Sequence, residues 1–256
     1  MAALPLLAIP ATAGTGSEMN RSAILTDPSG CRRDGLRSDR LFPRHALVDP
    51  EISMTQPPDL AARTAFDALS HAIESLVSPR ARAVTDELAE AAVTLIADAI
   101  VDVAHGRATP AQHANLALAA ALMGVNLSLV GTCLPHRIDK AVCALFPQIT
   151  HGQCVAFFYP AWARRSWRGA VERFGRIARL LAPVSATGND VRDASNCGVL
   201  LERLLDTIGL GNPPSAFGVS PADISRITDR VAGDLSANPV PVSPDDLQSF
   251  LEETIK

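Results

Sequence analysis

The spacing of apolar residues changes character near residue 50. Residues 4–9 (Leu-Pro-Leu-Leu-Ala-Ile) make a short, continuous apolar run. Pro10 closes it and a small-residue segment follows, Ala11-Thr12-Ala13-Gly14-Thr15-Gly16-Ser17-Glu18, a pattern that predicts a buried strand entering a tight loop. Residues 23–25 and 46–48 read as two further short strands with the polar stretch 27–40 between them, and strand signals stop after Asp49-Pro50. From Leu60 onward apolar residues recur at helical spacing, which predicts helices over 60–76, 86–103, 110–130, 152–165, 169–181, 191–208, 221–232 and 244–255. The expected fold is therefore mainly α: an all-helical body over 55–256, preceded by a strand-bearing piece over 1–54. Three short strands leave edges and a face without partners, so the beginning reads as the tail of a larger α/β domain, and its edges favour association with further copies as a homo-oligomer.

Composition narrows the function classes. The 256 residues carry 23 Lys+Arg against 27 Asp+Glu, a formal charge of −4, and no basic run, which excludes nucleic acid as an expected partner. Aromatics are only 4% of the chain, which favours packed helices over a β-sandwich or barrel. The apolar start lacks the positive region of a secretory signal. The longest apolar stretch, 116–130, is interrupted by Asn126 and Ser128 and is shorter than the roughly 20 residues a bilayer requires, so it reads as a core helix and no membrane is expected. Cys31, Cys133, Cys143, Cys154 and Cys197 are odd in number and contain no CxxC pair, which argues for a reducing cytoplasm rather than a disulfide scaffold.

Candidate chemistry begins with Asp67 and His71. Four positions apart on a helix, a carboxylate and an imidazole project from one face, while Phe66, Ala68, Leu69, Ala72 and Ile73 leave little solvated surface around them. A buried carboxylate needs compensating charge, and a metal would supply it. His136 and His151 lie 15 positions apart beside the apolar helix. Each alone reads as a hydrogen-bonded core histidine; with Asp67 and His71 they make a set of one carboxylate and three imidazoles, suited to Fe2+ or Zn2+. His45, His105 and His113 fall in loop or helix-start contexts and receive no role. Asp139 and Lys140 read as a solvated loop pair or as groups facing a substrate.

Several segments together resemble a known family: Pro10-Ala11-Thr12-Ala13-Gly14-Thr15-Gly16-Ser17-Glu18, Leu47-Val48-Asp49-Pro50-Glu51, Asp67-Ala68-Leu69-Ser70-His71-Ala72-Ile73-Glu74 and Thr150-His151-Gly152. In order and spacing they are similar to the iron-containing (group III) alcohol dehydrogenases, which share their fold with glycerol dehydrogenase and dehydroquinate synthase. The resemblance implies an N-terminal nucleotide-binding α/β domain joined to an all-helical metal-binding domain. It also implies hydride transfer between NAD or NADP and a small alcohol or aldehyde, with Asp67, His71, His136 and His151 as metal ligands. Thr12, Gly14 and Thr15 match the loop that touches the nicotinamide end and pyrophosphate of the cofactor, and Arg33 stands where the family has a cofactor-contacting lysine. Leu134-Pro135-His136-Arg137 resembles a subgroup acting on small aldehydes, which makes Arg137, with Lys140, a candidate for contact with an anionic substrate.

The chain departs from the pattern in three ways. The family's glycine-rich phosphate-binding loop and leading strands do not occur in it, so the resemblance implies a truncated member that is inactive alone. The two later histidines are 15 rather than 14 apart, with Lys140 where another histidine is common, and Ala11 replaces a threonine. Two alternatives stay open: a lyase of the dehydroquinate synthase type, and a non-catalytic metal-binding remnant or subunit.

Overall fold

The computed structural model describes residues 4–27 and 32–256. Residues 1–3 and 28–31, Cys31 among them, lie outside the described residues. Two compact units are present: one comprises Met1–Leu25, Asp34–Leu76 and Arg80–Gly131, the other Thr26–Arg33, Val77–Pro79 and Thr132–Lys256.

The strand-bearing start is small. β1 (Leu7–Ala8) runs parallel to β4 (His45–Ala46), with Leu7 opposite His45 and Ala8 opposite Ala46. Bonds donated by the Arg44 amide to the Leu6 carbonyl (2.8 Å) and by the Leu47 amide to the Ala8 carbonyl (2.9 Å) extend the pairing. β2 (Ser22–Asp27) pairs with β3 (Arg32–Arg37). β3 occupies part of the stretch expected to be merely polar. Its sequence, Arg-Arg-Asp-Gly-Leu-Arg, buries no face, so it carries none of the alternation by which a strand is recognised. The expected buried strand near Leu7 is exposed instead, with Leu4, Leu6, Leu7 and Ile9 all half or more accessible.

Four helices follow in the first unit: α1 (Pro50–Ser53), α2 (Pro58–Val77), α3 (Ala83–Ala104) and α4 (Pro110–Leu129). α2 buries residues around its whole circumference, with Ala65, Phe66, Ala68, Leu69, Ala72 and Ile73 inaccessible, the behaviour of a helix at the centre of a core. α3 and α4 pack together, and the Asn126 side chain donates to the Thr85 carbonyl at 2.9 Å to tie α4 to the start of α3. α4 opens on Thr109, whose side chain accepts from the Gln112 amide while Gln112 accepts from the Thr109 amide, with Pro110 in the first turn.

The small-residue loop has a packing reason of its own. Gly16 takes the left-handed conformation (φ 59°) and lies against α4, where a Cβ on Gly124 would stand 2.1 Å from the Gly16 carbonyl oxygen. Ahead of it, a Cβ on Gly14 would approach that of Thr64 on α2 to 2.9 Å. A short 3-10 turn, Ser17–Met19, ends the loop.

From Leu134 onward the second unit is built of helices: α5 (Leu134–Leu145), α6 (His151–Ser166), α7 (Val171–Leu181), α8 (Asp190–Thr207), α9 (Ile224–Thr228) and α10 (Pro244–Thr254). α6 is its axis. Every residue from Gly152 to Ala163 is buried, and α5, α8 and α10 all pack on it. Helix boundaries from α2 onward follow the expectation within a few residues, except that α9 is shorter than its predicted span and α5 was expected as a connection. α5 does carry the helical pattern: Leu134, Ile138, Ala141 and Val142 are all buried on one face. No single helix among the described residues is long and apolar enough to cross a membrane.

Gly124→Ala is expected to lower stability by about 1–3 kcal/mol, because the new methyl group meets backbone that cannot retreat. Leu118→Ala, at an exposed position on the same helix, should stay within about 0.5 kcal/mol of the parent. Chemical denaturation of both variants reads the difference; equal midpoints would refute the close approach.

Candidate metal centre

The first unit places Asp67 and His71 one turn apart on α2, both almost fully buried. His71 Nε2 stands 3.6 Å from Asp67 Oδ1, with side-chain exposures of 5% and 3%. That distance is too long for a good hydrogen bond. Two donors held roughly 2.1 Å from one tetrahedral ion stand about 3.4 Å apart, so the pair fits ligands of a shared ion. The Ser70 hydroxyl donates to the Asp67 backbone carbonyl at 2.7 Å.

The second unit sets His136 and His151 at the starts of two helices. His136 lies in the first turn of α5, which Pro135 opens, and His151 is the first residue of α6. Their ring centres are 5.4 Å apart with the planes inclined at 55°; two imidazoles on one tetrahedral ion would have ring centres about 5 Å apart. Asn238 holds the start of α5 against α6. Its Oδ1 accepts from the Leu134 amide at 3.3 Å and from the Trp162 ring nitrogen at 2.8 Å, and its amide donates to the Val240 carbonyl at 2.7 Å.

Asp139 is the residue that sequence reasoning misplaced. It is not in a solvated loop: it sits on α5, three positions after His136, and is 1% exposed. Its Oδ2 lies 2.8 Å from His151 Nδ1, and its Oδ1 accepts from the Cys143 thiol at 3.0 Å. Burial alone would push this carboxyl up; the charge and hydrogen bond of His151, the Cys143 thiol and the Arg33 charge outweigh it, and the group titrates below its ordinary value. The signal was present in the i, i+3, i+7 spacing of His136, Asp139 and Cys143, which is a single helix face once 134–145 is recognised as a helix.

One ligand atom from each of Asp139, Cys143 and Cys154 lies within 4.8 Å of the others, a second donor group. Burial, then the Cys143 hydrogen bond and the Asp139 charge, raises the Cys154 thiol well above its ordinary value, so it stays protonated. Without an ion the cluster is a hydrogen-bonded network, and an ion there would have to displace the thiol protons.

The remaining expected residues are spread more widely. In the loop before the 3-10 turn, Gly14 is buried, Thr12 half-buried and Thr15 exposed. Arg33 is half-buried on β3, with its charge felt at Asp139 and Cys154. Arg137 donates from Nε to the Asp234 carbonyl at 3.2 Å and from a terminal nitrogen to that of Thr132 at 3.5 Å, so part of its hydrogen-bonding capacity serves the backbone. Lys140 is half-buried on α5, one turn after His136. Of the histidines without a role, His105 follows the end of α3, its Nδ1 2.7 Å from the Val101 carbonyl.

The chain is similar to known proteins over almost its whole length. Residues 61–255 match the family described as "Fe-containing alcohol dehydrogenase family, C-terminal", and residues 1–50 match "Iron-containing alcohol dehydrogenase". An NAD-dependent methanol dehydrogenase of Bacillus methanolicus is 31% identical over 98% of this chain and 66% of its own length. The 1-propanol dehydrogenase PduQ of Salmonella typhimurium is 30% identical over 97% and 69%. The crystal structure of a 1,3-propanediol oxidoreductase superposes with a TM-score of 0.92 at 27% identity, covering 100% of this chain and 67% of that one. An archaeal Red Sea brine pool alcohol dehydrogenase superposes with a TM-score of 0.90 at 28% identity, covering 98% and 64%. The chain spans about two thirds of the length of these relatives.

Cys133, Cys143, Cys154 and Cys197 are buried and in no disulfide, and burial pushes Cys197 up to about 12. In a Cys31→Ser variant the folded chain should therefore show no thiol reacting rapidly with Ellman's reagent at pH 8, and all four after denaturation. A fast-reacting thiol in the folded variant would contradict the buried network.

Proposed function

The chain belongs to the iron-containing alcohol dehydrogenase family, and we propose that Asp67, His71, His136 and His151 together hold one divalent ion for hydride transfer between NAD(P) and a small alcohol or aldehyde. The observation that carries this reading is the donor set: a carboxylate and three imidazoles, three of the four side chains buried, each able to offer one ligand atom. The 3.6 Å separation of the Asp67 and His71 donor atoms supports it. So do the methanol and propanol dehydrogenases among the relatives.

The chemistry of the set suits Fe2+ or Zn2+, since imidazole and carboxylate are borderline to hard donors and no thiolate is included. Bound there, the ion supplies Lewis acidity to a substrate oxygen, and the nicotinamide carries the hydride. The protein's own part is to fix the ligand rings and keep water away. α2 does the first by holding Asp67 and His71 in a fully buried turn packed among Phe66, Ala68, Leu69, Ala72 and Ile73, and the buried first turn of α5 does the same for His136. Thr12, Gly14 and Thr15 are the proposed cofactor contacts, supported by the small size of the residues beside them, with Arg33 as a further cation for the cofactor. Lys140, and Arg137 beyond its backbone bonds, are proposed to face the substrate.

Two organisational readings go with this. We place the division between the nucleotide-binding part and the metal-binding body at residues 54 and 55, supported by family matches that end at 50 and resume at 61. Four buried free thiols support a reducing compartment, the cytoplasm.

Metal analysis of the purified chain is expected to give one equivalent of iron or zinc, lost in both Asp67→Ala and His151→Ala. A full equivalent retained in either variant would remove that residue from the set, and retention in both would end the reading.

A further inference from the structure

Asp139 takes part in neither the proposed ligand set nor any site matched to a cofactor, yet it is a buried carboxylate with both oxygens engaged. Its Oδ2 meets His151 Nδ1 at 2.8 Å and its Oδ1 accepts from the Cys143 thiol at 3.0 Å. Cys143, one turn later on α5, also has its thiol 3.4 Å from the Ile149 carbonyl, so the sulfur is anchored to the segment that leads into α6. A carboxylate 1% exposed is stable only with partners on both oxygens, and here each partner comes from a different direction.

We propose that Asp139 is a positioning residue for His151. By accepting from Nδ1–H it selects the tautomer in which Nε2 carries the lone pair, and it fixes the rotation of a ring that is 30% exposed and would otherwise turn about its own bonds. Cys143 sets the carboxylate in turn, so the order of control runs Cys143, Asp139, His151. The inference rests on the reading of His151 as a metal ligand. It adds what that reading lacks: His151, at the very start of α6, is the most exposed of the four donors, and α5 supplies the group that holds it.

A role confined to joining α5 to α6 would lower stability and leave the ring's protonation pattern alone, so the test reads the ring. In the metal-free full chain, 15N NMR of the His151 ring should show the Nδ1–H tautomer. The Nε2–H tautomer there would overturn the proposal whether or not any variant folds. Zn2+ affinity is then measured by chelator competition for the parent, Asp139→Asn, Cys143→Ser and His151→Ala, with thermal melts of the metal-free proteins alongside. Asp139→Asn is expected to lose roughly 10–100-fold in affinity, while Cys143→Ser, which keeps a donor to the carboxylate, stays close to the parent. Parent-like affinity in Asp139→Asn beside a weakened His151→Ala would overturn the positioning role alone. Parent-like affinity in His151→Ala would instead remove the ligand, and the positioning role with it.

Discussion

Charge-bearing side chains inside apolar helices must be matched by charge or by hydrogen bonds, and that constraint organises this protein. α2 is buried on every side and still carries Asp67 and His71 at its centre. A helix core made only of alanine, leucine, isoleucine and phenylalanine would be more stable without them, since a buried carboxylate costs several kcal/mol unless something offsets it. Keeping the two donors one turn apart, at a separation that suits two ligands of one ion better than a hydrogen bond, is the arrangement a metal-binding helix requires. The second unit solves the same problem differently. Its histidines stand at helix starts, where backbone geometry sets their direction, and a buried acid on α5, itself bonded by the Cys143 thiol, meets the His151 ring.

Legibility in the sequence followed the strength of these constraints. α2, α4 and α8 announce themselves because long apolar spacings leave no competing period. Asp67 and His71 could be picked out because polar residues in so apolar a helix are conspicuous. α5 was hidden for the opposite reason: its Arg137, Asp139 and Lys140 look like a loop until the buried positions Leu134, Ile138, Ala141 and Val142 are counted together. Asp139 was lost with it, since its partner lies 12 positions away and no local pattern links a carboxylate on one helix to a ring on the next. β3 was illegible because strand pairing there buries nothing. The glycines at 14 and 16 were read through a cofactor loop, and the fold adds a demand of its own, the approach of α2 and α4.

The family relationship and the physical reading support one another at different points. Similarity to solved alcohol dehydrogenases covers nearly the whole chain and establishes the helical architecture. It does not explain the departures. Local physics adds what similarity leaves out: Asn238 holds the start of α5, the Cys143 thiol reaches the segment leading into α6, and Asp139 stands 2.8 Å from the His151 ring.

X-ray absorption at the zinc edge of the zinc-loaded chain tests the ligand set most directly, because it counts scatterers without relying on activity. The account expects only nitrogen and oxygen neighbours at about 2.0–2.2 Å, with the outer-shell pattern of three imidazoles. A sulfur scatterer at about 2.3 Å would place the ion in the Asp139, Cys143 and Cys154 cluster instead and contradict the account.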